Sequence, residues 1–270
     1  MNKKTKSIWI ASVAMLVACV SQADLIYTTV YSNNFNTYTT GNLGGQGSWV
    51  NSTGAAAQVG PGPGGGNTSQ TATKSTNTTI STAYKNVTLG LTDYTSGTFQ
   101  MDIYREASAT GFYMAGLGNS TTANKAFSFG LNGGTFRFSQ GVAGGTAMNL
   151  YSSSGVLFTT AGGAWLRLKA DISFAGAAAT ITNVTIQNLT TSGSELTAYF
   201  DSGATQKTLA LDSDESLWNR AWVRTGISTD TGKIYLDNLE FVAAIPEPAT
   251  IGMLGLGALV TLLLRRKMML

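Results

Sequence analysis

The chain has 270 residues, no histidine and one cysteine, Cys19. These absences exclude His-dependent triads, intramolecular disulfides, the usual zinc sites and a cysteine nucleophile in the body of the chain. The formal charge of +3 is an end effect: six of the 17 Lys and Arg lie before Asp24 or after Pro248, leaving 11 basic against 14 acidic residues, a net −3 that excludes nucleic acid as a partner.

At the start, Lys3, Lys4 and Lys6 precede an apolar run from Ile8 to Val17 and a small-residue site at Ser21-Gln22-Ala23. This pattern predicts a signal peptide over residues 1–23, removed by signal peptidase so that the mature chain begins near Asp24. Leu16-Val17-Ala18-Cys19 also resembles a lipobox, in which Cys19 would be lipidated. Cleavage after Ala23 is the preferred of the two readings, because the far end of the chain supplies an anchor of its own.

Residues 24–243 have the length of one domain and an all-β pattern. The stretch from Gly54 to Thr79, with Pro61-Gly62-Pro63-Gly64-Gly65-Gly66 and a run of Thr, Ser and Asn, is expected to be an unstructured polar loop. Beyond it, Phe99, Met101 and Ile103 alternate with Gln100, Asp102 and Tyr104, the period of a half-buried strand. Phe127, Phe129 and Leu131 lead into Asn132-Gly133-Gly134, and Phe136 and Phe138 resume the pattern, which predicts a hairpin whose turn supplies φ > 0.

Leu166, Leu168, Ala170, Ile172 and Phe174 alternate with Arg167, Lys169, Asp171 and Ser173 in the longest predicted strand. Trp165 has the polar parity, so it either opens that strand or is partly exposed. Further strands are expected near residues 180–186, 196–200, 221–227 and 233–242. In the last, Ile234 and Leu236 share one parity and Leu239 and Phe241 the other, which calls for a bulge near Asp237-Asn238. No stretch of this region combines the helical period with capping signals, so helices are short or absent.

The final segment, residues 244–270, has a different character. Pro246 and Pro248 stiffen a Pro246-Glu247-Pro248 tripeptide, Ala249 to Leu264 carries no charge, and Arg265, Arg266 and Lys267 form a basic stop. As a helix the apolar run would span about 24 Å, short of the roughly 30 Å hydrocarbon core, which makes it a marginal membrane anchor. This arrangement resembles the PEP-CTERM sorting signal of bacterial surface proteins. The resemblance implies recognition by an exosortase, cleavage near Pro246-Glu247-Pro248, a transient anchor in the inner membrane, and final residence at the surface or in the extracellular matrix of a Gram-negative bacterium.

The domain carries a second resemblance. Phe35, Tyr38, Gly41, Leu43, Gly44, Gln46, Gly47 and Trp49 are similar to the opening of concanavalin A-like, laminin-G-like jelly rolls. Trp165-Leu166-Arg167-Leu168 with Asp171, and Ile234 to Phe241, resemble their middle and last strands. The resemblance implies a single β-sandwich with paired terminal strands.

Candidate sites are sparse. Glycoside hydrolysis needs two carboxyl groups roughly 5 to 9 Å apart, and Asp102 and Glu106 come nearest, although the compact E-x-D-x-x-E strand of hydrolases in this fold class is missing. Asp212, Asp214 and Glu215 put three oxygen ligands in one loop, suited to Ca²⁺ or to a solvated turn. Trp49, Trp218 and Trp222 suit sugar stacking if exposed, whereas Trp at strand positions more often fills a core. Arg105, Arg137 and Arg167 are candidates for a shared polar face. The expectation is an exported, non-catalytic protein that binds or structures exopolysaccharide, with no cofactor required. The alternatives are a polysaccharide-degrading enzyme and an adhesive surface protein without a sugar ligand.

Overall fold

The computed structural model describes residues 25–54, 57–63, 70–73, 81–87, 96–119, 127–140, 147–175, 178–210, 218–225 and 232–246. Thr28–Ala243 is one compact unit; the two ends, Met1–Tyr27 and Ala244–Leu270, make up another, of which residues 25–27 and 244–246 are described. The expected signal peptide and apolar anchor therefore lie outside the described residues. Among the described residues no helix is long and apolar enough to cross a membrane.

The strands, in chain order, are β1 (Leu25–Asn33), β2 (Gly41–Asn42), β3 (Trp49–Gly54), β4 (Gln58–Pro61), β5 (Gln70–Thr73), β6 (Ser81–Asn86), β7 (Ser96–Arg105), β8 (Phe112–Asn119) and β9 (Phe127–Asn132). They continue with β10 (Thr135–Gln140), β11 (Ala147–Asn149), β12 (Trp165–Phe174), β13 (Ala178–Asn188), β14 (Leu196–Thr197), β15 (Gln206–Ala210), β16 (Trp218–Thr225) and β17 (Ile234–Pro246). A 3-10 turn at Asp201–Gly203 is the helical element among the described residues.

A ten-stranded sheet runs β14-β13-β12-β7-β17-β5-β4-β2, with β1 also on β17 and β15 also on β13. A seven-stranded sheet runs β11-β10-β9-β8-β16-β6-β3. The all-β pattern expected from the alternation and the β-sandwich implied by the jelly-roll resemblance are thus the fold found, and the pairing of β1 with β17 agrees with the union of terminal strands that the resemblance implies.

The inward faces meet through aromatic rings. Phe99 of β7 and Phe129 of β9 touch edge to face with centroids 4.2 Å apart, Phe129 stacks on Phe138 at 5.4 Å, and Phe241 closes on Phe99 at 6.3 Å. All four rings are fully buried, so each contributes roughly 1.5–3 kcal/mol of transfer free energy. The predicted hairpin is β9–β10: Gly133 (φ 55°) and Gly134 (φ 88°) make the two-residue turn and set Phe136 opposite Leu131.

The parity switch in β17 occurs at Asn238, whose φ of 47° lets Leu236 and Leu239 both point inward. A second bulge, absent from the sequence expectations, falls in β13 where Asn183 has φ 48° and the pairing with β12 shifts between Lys169 and Asp171. Asparagine tolerates this left-handed geometry better than branched residues, which accounts for its use at both places. Trp165 resolves to a strand start: it opens β12 and is buried.

One expectation is corrected. The stretch from Gly54 to Thr79 is not simply a loop, because it contributes β4 and β5, and β5 pairs Thr73 with Tyr235 and Ala72 with Leu236 of β17. Its strands lack large apolar side chains, so the alternation is invisible. Buried Thr71 and Thr73 satisfy their hydroxyls on the carbonyls of Gly60 (3.2 Å) and Ile234 (3.3 Å) instead.

The ring contact between the sheets yields a direct expectation. Phe99→Ala or Phe129→Ala lowers the unfolding free energy by about 3–5 kcal/mol in urea titrations. Val50→Ala, at an exposed position on β3, changes it by less than about 0.5 kcal/mol.

Candidate functional site

The sequence resemblance at the N-terminal side is a packing device. Gln46 folds its amide back so that Oε1 accepts from the Thr39 backbone N–H at 2.7 Å and Nε2 donates to the carbonyls of Thr39 (2.9 Å) and Asn42 (2.7 Å). Asn42 in turn accepts from the Gly44 N–H at 2.9 Å and from Asn51 at 2.8 Å. Above this knot Phe35 packs on Tyr38 (5.9 Å) and Trp49 (6.0 Å). Gly47 sits where a Cβ would collide with the Tyr38 ring. Trp49 is only 1% exposed, so it cannot present a face to a sugar in solvent.

Asp102 and Glu106 do not form an open carboxyl pair. On the outer face of the ten-stranded sheet, Arg167 of β12 donates Nε to Asp102 Oδ1 at 2.7 Å and Nη2 to Oδ2 at 2.9 Å. Asn238 of β17 donates to the same Oδ2 at 2.7 Å. Three neighbouring strands are thereby tied through one buried carboxylate, and its hydrogen bond pushes the Arg167 guanidinium pKa up against the effect of burial. Glu106 spends Oε2 on the Lys233 N–H (2.8 Å) and Oε1 on the Tyr235 hydroxyl (2.9 Å). Burial first, and Glu106 second, push the Tyr235 phenol up. Both carboxylates clip the β7 end of the sheet to its neighbours.

Arg105, Arg137 and Arg167 do not share a face. Arg105 is a loop clamp, donating Nε to the Ala109 carbonyl (2.6 Å), Nη1 to that of Thr160 (2.8 Å) and Nη2 to that of Ala107 (3.3 Å). Arg167 stands on the ten-stranded sheet, and Arg137 belongs to the other.

The outer side of the seven-stranded sheet brings Arg137 and Trp222, both named from sequence, together with Arg220 and Arg224, which sequence reasoning missed. Ala221 and Val223 of β16 point into the core, so alternation turns Arg220, Trp222 and Arg224 outward. Across β8 and β9 the row of Arg224 passes through Met114 and Gly130 to Arg137. A Cβ at Gly130 would collide with the Tyr113 carbonyl, so glycine is required there. Arg220 lies over the Tyr84 ring at 3.7 Å, and Arg224 approaches Phe112 at 5.8 Å.

With its amide oriented to accept, Asn132 takes Arg137 Nη1 at 2.9 Å and Nη2 at 3.1 Å. The Nε atoms of Arg137, Arg220 and Arg224, and Nη1 of Arg224, are buried and have no hydrogen-bond partner among the described residues. Trp222 is 2% exposed and rests on Tyr84 at 5.1 Å, outside the core cluster, so its indole is covered and is not an open stacking platform. The signal for this group was the Arg-x-Trp-x-Arg alternation in β16, legible only once the inward parity is known.

Trp218 begins β16, but its side chain lies outside the described residues, as do Asp212, Asp214, Glu215, Glu247, Pro248, Arg265, Arg266 and Lys267. Pro246 ends β17. Among the described residues no group of three His, Cys, Asp or Glu is placed to hold a metal ion.

Comparison with known families identifies residues 244–267 as a PEP-CTERM protein-sorting motif. The motif is the recognition signal of an exosortase and marks the chain as exported and sorted to the cell surface of a Gram-negative bacterium. A comparison with curated proteins finds no match. Among solved structures, the chain is similar to the CBM2 module of the evolved Dit of Lactobacillus casei BL23 phage J-1, at 13% identity and TM-score 0.48, covering 83% of this chain and 99% of that one. It is also similar to a carbohydrate esterase from the Shiga toxin-encoding bacteriophage phi24B, at 13% identity and TM-score 0.43, covering 81% and 99%. A third likeness is to alginate lyase Aly36B, at 13% identity and TM-score 0.36, covering 78% and 95%. At such scores none of these likenesses bears on what this chain binds.

The clip around Asp102 carries its own test. Asp102→Ala costs about 3 kcal/mol in urea unfolding, because Arg167 and Asn238 lose their acceptor. The double variant with Arg167→Ala costs less than the sum of the single changes, as expected for two groups acting on each other.

Proposed function

We propose that this chain, carrying a PEP-CTERM motif at residues 244–267, is a surface or matrix protein whose sandwich binds extracellular polysaccharide without turning it over. The observation that carries the reading is the contrast between the two sheets. The carboxylates suited to glycoside hydrolysis are consumed in clips on one sheet, whereas the strands of the other carry arginines and no carboxylate. Arginine forks match planar oxygen pairs, and amides and hydroxyls match sugar hydroxyls. A non-catalytic role fits the absence of any histidine in the chain and the engagement of Asp102 and Glu106.

Sorting supplies the setting. Exosortase handling after export delivers the domain to a compartment in which polysaccharide is an abundant polymer. Signal peptidase is the further processing partner, and the apolar segment after Pro248 serves as the anchor until the tail is cut.

Two experiments test this reading. Full-length protein purified in detergent is retained on at least one immobilised polysaccharide from a panel of neutral and acidic polymers, with no release of reducing ends. Retention by none of them leaves a purely structural or adhesive surface protein, and reducing ends lost on Asp102→Asn would show an enzyme. In the native host, replacing Pro246, Glu247 and Pro248 by Ala leaves the chain uncleaved in the membrane fraction; unchanged processing contradicts exosortase handling.

A further inference from the structure

One short segment passes from one sheet to the other. Leu196 and Thr197 pair with β13, and two residues later Tyr199 pairs with Tyr151, just beyond β11. The two tyrosines exchange both backbone hydrogen bonds, Tyr151 N–H donating to the Tyr199 carbonyl at 2.7 Å and Tyr199 N–H to the Tyr151 carbonyl at 2.8 Å. On its other side Tyr151 bridges to Leu157, through Ser152 N–H on the Val156 carbonyl (2.8 Å) and Phe158 N–H on the Leu150 carbonyl (2.7 Å).

Residues opposite one another in an antiparallel pair share a face, so Leu157, Tyr151 and Tyr199 form one row. Their chain neighbours Leu150, Ala198 and Phe200 are buried, and Phe200 packs on Phe138 of β10 at 5.9 Å. The row therefore faces away from the core. Leu157 is 39% exposed, Val156 beside it is 63% exposed, and both tyrosines are half-buried. Hydrogen bonds fix the backbone at both ends: Gly155 N–H closes the turn on the Ser152 carbonyl (3.0 Å), and Phe200 N–H bonds the Ala204 carbonyl (2.8 Å) around the 3-10 turn. A ligand that docks here has little backbone to order, which removes one cost of binding.

Polar groups stand at one end of the row. The same pairing brings Asn149, two residues before Tyr151, toward Asp201, two residues after Tyr199. Asp201 is exposed and Asn149 half-buried. As an acceptor for the hydroxyl, Asp201 pushes the Tyr151 phenol up, and Asn149 opposes it, so carboxylate and amide both lie at this ring. A carboxylate has roughly four acceptor sites, so one phenol leaves Asp201 most of its capacity. Arg137, opposite Asn149 on β10, is occupied by Asn132.

These groups select a ligand. By ordinary cross-strand spacings the row is about 10 Å long, and ring faces with a leucine match the C–H faces of consecutive pyranose rings. The carboxylate and amide at its end match sugar hydroxyls. Exposed Ser153, Thr159 and Thr197 border the row, which is far smaller than the roughly 800 Å² that a partner protein of standard interface size would cover. The charge of Asp201 disfavours uronate and sulfate groups, which leaves an uncharged polymer as the fit.

We infer that Leu157, Tyr151 and Tyr199, with Asn149 and Asp201, form a binding site for a neutral polysaccharide, the apolar row carrying the faces of its sugar rings and Asp201 accepting from their hydroxyls. This rests on the polysaccharide-binding reading above and adds to it a site and a ligand class.

The experiment measures binding of the detergent-purified full-length protein to mixed-linkage β-glucan, galactomannan, dextran and polygalacturonate. At least one neutral polymer binds more tightly than polygalacturonate, and raising the ionic strength from about 0.05 to about 0.5 M changes that binding less than about twofold. Tyr151→Ala, Tyr199→Ala and Leu157→Asn each weaken it about fivefold or more, and Asp201→Ala about threefold. Tyr199→Phe, which keeps the ring, stays within about twofold of the parent, and Lys207→Gln on β15 leaves binding unchanged. Leu157→Asn and Asp201→Ala alter exposed side chains and leave the thermal midpoint within about 2 °C, so they decide the matter where the tyrosine variants lose stability. Neutral-polymer binding that Leu157→Asn and Asp201→Ala leave intact overturns the inference and spares the broader function, as does binding confined to polygalacturonate. Binding to no polysaccharide removes both. Self-association that Leu157→Asn abolishes, with no polymer bound, assigns the row to a second copy of the chain and also overturns the inference.

Discussion

The contact of Phe99 with Phe129 across the two sheets decides what every other strand position does. In a sheet the side-chain period is two, so once one residue is pinned inward its neighbours must face out. The stack of Phe138, Phe129, Phe99 and Phe241 pins β10, β9, β7 and β17 together, and through their partners it pins β8, β16 and β12 as well. The outward position of Arg137, Arg224 and Asp102 is thus a consequence of core packing. A one-residue slip in β16 would bury two arginines among phenylalanines, which no charge partner in that sheet could relieve.

From this constraint the two outer faces diverge. The ten-stranded sheet ties its strands together with polar clips: Asp102 to Arg167 and Asn238, and Asp171 to Thr98 (2.8 Å) and Asn183 (2.9 Å). Both bulge asparagines donate to a carboxylate, so the irregular backbone and the polar network are one device. The strands of the seven-stranded sheet hold no carboxylate, and Arg220 and Arg224 lie instead beside aromatic rings.

Much of the sandwich was legible from sequence because β7, β9, β10, β12 and β17 alternate large apolar with polar side chains. The short strands β4 and β5 were not, since their inward positions are filled by Ala72, Val59 and threonines whose hydroxyls are satisfied by carbonyls. The tail was legible in full at the level of its motif, because Pro-Glu-Pro, an uncharged run and a basic cluster are local features. The site was less so. Trp49 and Trp222 look alike in sequence but are covered for different reasons, the first within the Phe35 corner and the second under the arginine row. Arg105 shares the inward parity of Phe99, Met101 and Ile103, whereas Arg137 and Arg167 face out, and the three end in a loop clamp, beside Asn132 and in a clip. What each meets lies on another strand or loop, and no local pattern records that.

The central claim is that the sandwich binds extracellular polysaccharide without turning it over. Co-sedimentation of the full-length protein with a panel of insoluble neutral and acidic polysaccharides, with reducing ends assayed in the same samples, tests it directly. Co-sedimentation with at least one polymer and no release of reducing ends is the predicted result; co-sedimentation with none, or release of reducing ends, would contradict it.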